Sequence, residues 1–376
     1  MALKILHTGD VHIGMKFNGY PEFIRGELVE ARFKVLVNLI QTANEEECRL
    51  FVIAGDLFDK TTIAKKDVVR VISILENFAG DCVLVMPGNH DYDNGMVELW
   101  HLFAERLSDK IVVLNENKVY QLAQTHDLDV AVYPAPCNKK TSKTNNLGWI
   151  NALPELPEAG LHIGIAHGAL DGLSPDLKQD YFYMQVSELE HLPVDLWLLG
   201  HTHIPYPNLE LVKGHKIFNA GTPEPDGMDC SHAGHAWLLE IDEQKNIQAQ
   251  RLATGYYRFI DTEESITDWD DMKRLQQKYI IATAPQTLLR LNIKGRVERE
   301  LFNQKQALYQ ELEKNLAYAT FDDSGLGLKI TAEVIDQEFT AGSLPHQLFM
   351  EFIAENDEEA LQVAYELVRE VQAGCK

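Results

Sequence analysis

Several things are scarce in this chain, and each scarcity removes a class of function. No G-x-x-x-x-G-K-[ST] run occurs, so the chain has no phosphate loop with which to hydrolyse ATP by that route. Its five cysteines (Cys48, Cys82, Cys137, Cys230 and Cys375) are scattered, odd in number and never spaced C-x-x-C. That argues against a disulfide framework or a structural zinc site and for a reducing, cytoplasmic setting. No apolar run approaches the roughly 18 residues of a membrane span, and "MALKILHTGD" passes straight into a strand pattern, so neither a membrane segment nor a signal peptide is expected. Basic residues are few: 34 Lys and Arg face 57 Asp and Glu, a formal net charge of −23. A nucleic-acid binder usually carries a basic face. Any attraction for phosphate must therefore be local, or come from metal ions or a partner.

What is present suffices for two or three domains: 376 residues, 45% of them hydrophobic. "LKILHTGD", "RLFVIAGD" and "DCVLVMPG" read as strands, with helices over 26–46, 62–79 and 95–108. Near-continuous Val, Ile and Leu in strands that alternate with helices imply a largely parallel sheet, covered on both faces. "LHIGIAHG" and "DLWLLGHTH" add two more apolar runs, while 118–136 and 235–252 look like antiparallel hairpins, which makes the sheet mixed. Beyond about residue 260 the character changes. A strand (287–297), a helix (298–316) and a returning strand form a small β-α-β unit. The last stretch has helical spacing at Leu361, Ala364, Leu367, Val368 and Val371, with Asn356 and Glu359 spaced as a capping box.

Each of the five apolar runs ends in a polar cluster: G-D at 9–10, G-D at 55–56, G-N-H-D at 88–91, H-G at 167–168 and G-H-T-H at 200–203. Binding crevices of open α/β sheets lie beyond the carboxyl ends of the strands, so these clusters should converge. The ligand-capable residues are Asp10, His12, Asp56, Asn89, His167, His201 and His203. In extended backbone, D-x-H and H-x-H put both side chains on one side. A mixture of imidazole and carboxylate suits manganese, iron or zinc better than calcium or magnesium. Two divalent ions bring four positive charges, of which Asp10 and Asp56 cancel two; the neutral Asn89 fills a coordination position without cancelling more. A lone histidine is usually structural, and His7, His101, His126, His162, His191, His215, His232, His235 and His346 keep that reading.

The ordered set G-D-x-H, G-D, G-N-H-D, H, G-H-x-H resembles the calcineurin-like metallophosphoesterases. The resemblance implies an α/β fold, a mixed β-sandwich flanked by helices, with a small β-α-β capping domain and C-terminal helices. It places Asp10, His12, Asp56 and His203 on one metal, and Asp56, Asn89, His167 and His201 on the other, with Asp56 bridging. Cations ~3.5–4 Å apart would activate a bridging water and clamp the attacking and leaving oxygens. His90 is left without a ligand slot and by resemblance faces the scissile phosphate, as a stabiliser or proton donor. Asp91 then either orients His90 or caps the following helix.

"GDVHIG", "AGDLFDK" and "PGNHDYD" more closely resemble the SbcD-type double-strand-break repair nucleases than the protein phosphatases, whose third motif has Arg where Gly88 stands. The resemblance covers most of residues 1–260. It implies a nuclease domain over 1–260, a capping domain over 261–332 and a partner-binding helical region over 333–376. It further implies a two-metal, manganese-dependent DNA exonuclease, with endonuclease action also open, serving repair beside an SMC-like coiled-coil ATPase of the SbcC type, as a homodimer within a heterotetramer. The sequence departs from that pattern in reading T-G-D for A-D in the first motif and in having Asp59 where part of the family has a histidine.

The tail from 333 onward has ten acidic residues and only Arg369 and Lys376 as basic ones. It can pair with a basic coiled coil, or be a solvated helix packed on its own domain. Lys139, Lys140 and Lys143 could track a DNA backbone or belong to a surface loop; Tyr181, Phe182 and Tyr183 could stack bases or pack on the sheet. Two rival functions stand beside the nuclease: a small-molecule phosphodiesterase or nucleotide phosphatase, and a non-catalytic scaffold for the ATPase.

Overall fold

The structure, a computed structural model, describes residues 2–374; Met1, Cys375 and Lys376 lie outside the described residues. Two compact units divide the chain: Met1–Ile260 with Gln286–Leu288, and Asp261–Pro285 with the residues from Leu289 onward.

The first unit is a four-layer sandwich. Strands β1 (Leu3–Thr8), β2 (Leu50–Ala54) and β3 (Cys82–Met86) run parallel, and β1 pairs on its other side with the antiparallel strand His235–Ile241, within a seven-stranded sheet. A second, five-stranded sheet holds the parallel strands Val130–Ala135, Leu161–His167 and Leu196–Gly200. The alternation along a strand explains why these runs are apolar throughout. On β2, Phe51 and Ile53 enter the core shared with helices α1 (Glu22–Glu45), α2 (Lys65–Leu75) and α3 (Glu98–Ala104), beside Leu36, Val71 and Phe103. Leu50, Val52 and Ala54 point the other way, into a core shared with Val132, Ile163 and Leu198 of the second sheet. Each such side chain buried contributes about 1.5–3 kcal/mol.

The strands are covered on both faces, as expected, within a mixed β-sandwich flanked by helices. The inner face of each sheet is covered by the other sheet, and helices cover the outer faces. Continuous apolar strands require only that both faces be buried.

The second unit has a three-stranded sheet, including Thr287–Val297 and Tyr318–Leu328, and the amphipathic helix Arg299–Asn315, which buries Leu301, Leu308 and Leu312. Helices Ala332–Glu338, Leu344–Glu355 and Glu358–Gly374 belong to the same unit and enclose a small core of Ile335, Phe349, Leu361 and Tyr365. Asn356 does not open the last helix. It ends the preceding one in a left-handed conformation, and Asp357 Oδ1 accepts from Ala360 N instead. The last helix shows two apolar faces: Leu361 and Tyr365 are buried, whereas Val363, Leu367 and Val371 are more than half exposed. Among the described residues, no helix is long and apolar enough to cross a membrane.

Candidate metal centre

The two sheets of the first unit meet at their carboxyl ends. Gly200 closes a strand of the second sheet, and a Cβ there would stand 2.1 Å from Ala54 O at the end of β2. Only glycine permits that approach. Across the same seam, His167 Nδ1 donates to Ala54 O at 2.8 Å, which leaves Nε2 to face inward. The first sheet contributes Asp10, His12, Asp56 and Asn89, and the second contributes His167, His201 and His203.

All seven expected ligands converge. His12 Nε2 and His203 Nε2 are 3.1 Å apart, 3.9 and 3.7 Å from Asp10 Oδ1, and His12 Nε2 is 3.8 Å from Asp56 Oδ2. Asn89 Oδ1 lies 3.0 Å from His167 Nε2 and 2.9 Å from His201 Nδ1, while His167 Nε2 is 3.4 Å from Asp56 Oδ2. Asp56 therefore stands between a group built on Asp10, His12 and His203 and a group built on Asn89, His167 and His201. Asp10, His12, Asp56 and His201 have positive φ, between 49° and 98°, a conformation that non-glycine residues adopt at some cost and that clusters at functional sites.

The donor chemistry fits divalent cations. Two carboxylates are fully buried with ring nitrogens turned toward them, and three groups of potential ligand atoms lie within 4.8 Å of one another. Without a cation the electrostatics are strained. Burial raises Asp10 to about 6, and lowers His201 to about 3 and His12 well below the usual imidazole range. Burial also opposes charge on the pair His167 and Asp56. Their mutual attraction overrides it, raising His167 to about 9 and holding Asp56 well below the ordinary carboxylate range. Burial likewise opposes charge on His203, but the Asp226 hydrogen bond and then the Asp10 charge raise it to about 8, so protons on His167 and His203 take the electrostatic role that metals would.

His90 Nδ1 lies 3.1 Å from the Asp59 carbonyl oxygen, so it donates there and Nε2 stays available. Its backbone N donates to Asp56 Oδ1 at 2.8 Å. Asp91 departs from both expectations. Its carboxylate accepts from Phe58 N at 3.0 Å and Gly88 N at 2.7 Å, tying the second and third motif loops together. It neither touches the His90 ring nor caps α3, whose N-cap is Val97. Burial, then the nearby Asp56 charge, raises Asp91 to about 8.

A cavity of about 780 Å³ opens over the cluster, lined by Asp56, His90, Tyr181, His201, His203 and Lys178 among others. Lys139, Lys140 and Lys143 do not line it, and Lys143 Nζ lies 4.0 Å from Asp180 Oδ1. Of the aromatic trio, Tyr181 packs 5.2 Å from the His201 ring, while Phe182 is buried. Two residues without a place in any motif stand next to the ligands. Asp226 Oδ2 is 2.8 Å from His203 Nδ1, and the buried Arg32 donates to Val11 O and Pro225 O at 3.3 Å. Neither sits at a motif spacing, so the sequence carried no signal for them.

The profile of the calcineurin-like phosphoesterases matches residues 3–205, a span that contains all seven converging ligands. The chain belongs to that family. Its members are metal-dependent phosphoesterases. The chain is 25% identical over 212 residues to the uncharacterized metallophosphoesterase YhaO of Bacillus subtilis (strain 168), a match that covers 54% of this chain and 48% of YhaO. The chain thus spans about half the length of that curated relative. It is also similar to TT1561 of Thermus thermophilus, at 11% identity and a TM-score of 0.37, over 66% of this chain and 98% of that one.

Gly88 offers a direct check on the packing of the centre. A Cβ there would stand 2.1 Å from Asp56 Oδ1 and 2.4 Å from Asp56 N. Gly88→Ala should weaken divalent-metal binding by roughly tenfold or more and cost about 1–3 kcal/mol of stability. Metal titration and denaturant unfolding measure the two effects. Wild-type affinity in the variant would show that the Asp56 loop moves aside freely.

Proposed function

We propose that this phosphoesterase is a two-metal DNA nuclease that hydrolyses phosphodiester bonds with manganese. The observation that carries the reading is the pair of ligand groups sharing Asp56, with His90 beside them at the cavity wall. Asp10, His12, Asp56 and His203 would hold one cation; Asp56, Asn89, His167 and His201 would hold the other. When bound, such cations polarise phosphoryl oxygens and neutralise the charge that develops in displacement. Asn89 supplies a neutral oxygen and leaves the centre net positive toward a phosphodiester. His90, fixed by the Asp59 carbonyl, directs Nε2 to the leaving oxygen and can hold the proton that it needs.

The motifs "GDVHIG", "AGDLFDK" and "PGNHDYD" favour DNA repair as the setting, with an SMC-like ATPase as partner. Exposed Leu344, Val363, Leu367 and Val371 on the last two helices are consistent with a docking face for such a partner, in addition to the acidic charge. A second reading, a small-molecule phosphodiesterase or nucleotide phosphatase, draws support from the cavity. Asp176, Asp226 and Asp229 line it, and among the described residues Lys178 is the only lysine or arginine there, a balance that disfavours a long polyanion.

Linear duplex and single-stranded DNA should be assayed beside bis-p-nitrophenyl phosphate and cyclic nucleotides, with manganese and with chelator. The nuclease reading expects DNA cleavage that chelator abolishes and manganese restores. Cleavage of the small substrates alone would establish the second reading. No hydrolysis by folded, metal-loaded protein would leave the role of scaffold for the ATPase.

A further inference from the structure

The G-H-T-H motif delivers His203 to the cluster, but a motif cannot specify which ring nitrogen faces inward. The structure does. His203 Nδ1 is 2.8 Å from Asp226 Oδ2, and Nε2 is 3.1 Å from His12 Nε2 and 3.7 Å from Asp10 Oδ1. An ionised carboxylate can only accept, so Nδ1 carries a proton, and Nε2 is the nitrogen turned toward Asp10 and His12. Asp226 lies outside the family-matched span and belongs to none of the motifs.

The segment that carries Asp226 is itself held against the first motif. Arg32, buried on α1, donates to Val11 O and Pro225 O, each at 3.3 Å, and lies 3.4 Å from Thr222 Oγ1. Thr222 Oγ1 is 2.9 Å from Asp10 O. One guanidinium thereby connects the loop that presents Asp10 and His12 with the loop that presents Asp226. Burial lowers the Arg32 pKa, with the Asp226 and Glu224 charges opposing it. Its hydrogen bonds to buried carbonyls give those acceptors partners that apolar side chains would not.

We propose that Asp226 is the positioning residue of the metal centre: it locks His203 as the Nδ1–H tautomer, so that Nε2 is presented to the cation that Asp10 and His12 would share, with Arg32 keeping the two loops in register. A carboxylate on the far nitrogen fixes the ring orientation and makes the near nitrogen a better donor. The inference rests on the two-metal reading above, and its test separates the two.

Calorimetric titration with manganese should give two tight sites in the wild type. In Asp226→Ala one site should remain tight and the other weaken by roughly 10–100-fold. Asp226→Asn, whose amide oxygen can accept the same hydrogen bond, should recover most of the lost affinity. A general disturbance of the loop would not be rescued in that way. Wild-type affinities in Asp226→Ala, or equal weakness in Asp226→Asn and Asp226→Ala, would overturn the proposal. A wild type that binds no divalent ion would instead sink the metal reading. Should Asp226→Ala not fold, 15N-histidine NMR of the zinc-loaded wild type decides, with the His203 signals identified by their loss in His203→Gln. A proton on Nδ1 and zinc on Nε2 are expected; zinc on Nδ1 overturns the assignment.

Discussion

His90→Ala should slow phosphodiester hydrolysis by roughly 10²–10⁴-fold while leaving the metal content at the wild-type level. The His90 side chain is held from outside the cluster, by the Asp59 carbonyl, and its backbone N–H rather than its ring touches Asp56. The ring stands edge-on to His12, with centroids 4.9 Å apart, at the wall of the cavity. That geometry suits a group that acts on substrate. A ring nitrogen of His90 nevertheless lies within 4.8 Å of ligand atoms of His12 and Asp56, close enough to compete for a cation. Elemental analysis of purified His90→Ala, run beside its turnover, separates the two roles. A variant that is inactive because it has lost metal would make His90 a ligand.

Asp56→Asn should have the broadest effect of any single change. Asp56 is the carboxylate common to both ligand groups, so both cations should bind far more weakly and hydrolysis should fall to background. The loss should exceed the roughly 10–100-fold typical of a group that only orients a ligand. Cation-free protein gives an independent readout. In the wild type His167 is raised to about 9, against burial, by the Asp56 carboxylate. A histidine whose folded pKa is raised contributes stability that is present below its unfolded value, near 6.5, and is lost as pH climbs through about 9. Chelator-treated wild type should therefore lose this contribution between those limits. Asp56→Asn, lacking the partner charge, should not show that component. Denaturant unfolding of both proteins at pH 6 and pH 9 measures it; identical pH dependence would mean that the proton does not reside on His167.

The candidate ligands were legible because each lies at or shortly beyond the end of an apolar strand, which fixes its place in the fold. Asp10, Asp56 and Asn89 could be placed from β1, β2 and β3, and His167, His201 and His203 from two later strands. Which sheet each strand joins was not legible. An apolar run reports that both faces are buried but not what buries them; the expectation of a sandwich came from the resemblance carried by the motifs. Asp91 was misread because a carboxylate beside a histidine suggests a pair, whereas Phe58 N and Gly88 N, inside the turn, claim it. For Lys139, Lys140 and Lys143 the sequence left a DNA track and a surface loop both open, because composition says nothing about which wall of a cavity a loop forms; they are exposed and do not line the cavity. Asp226 and Arg32 lie 194 residues apart in sequence number, and only the tertiary fold brings Arg32 to the first motif loop and Asp226 to the G-H-T-H loop.

The meeting of the two sheets at Gly200 and Ala54 has a mechanical meaning. Four of the candidate ligands come from one half of the sandwich and three from the other, so a cation held by residues of both halves would tie them together. A bound metal pair would act as a clasp across the seam, and loading would stiffen the strand ends of both halves together. Without metal the seam is still crossed by the hydrogen bonds from His167 Nδ1 to Ala54 O and from His201 N to Asp10 Oδ2, and by the His167–Asp56 ion pair.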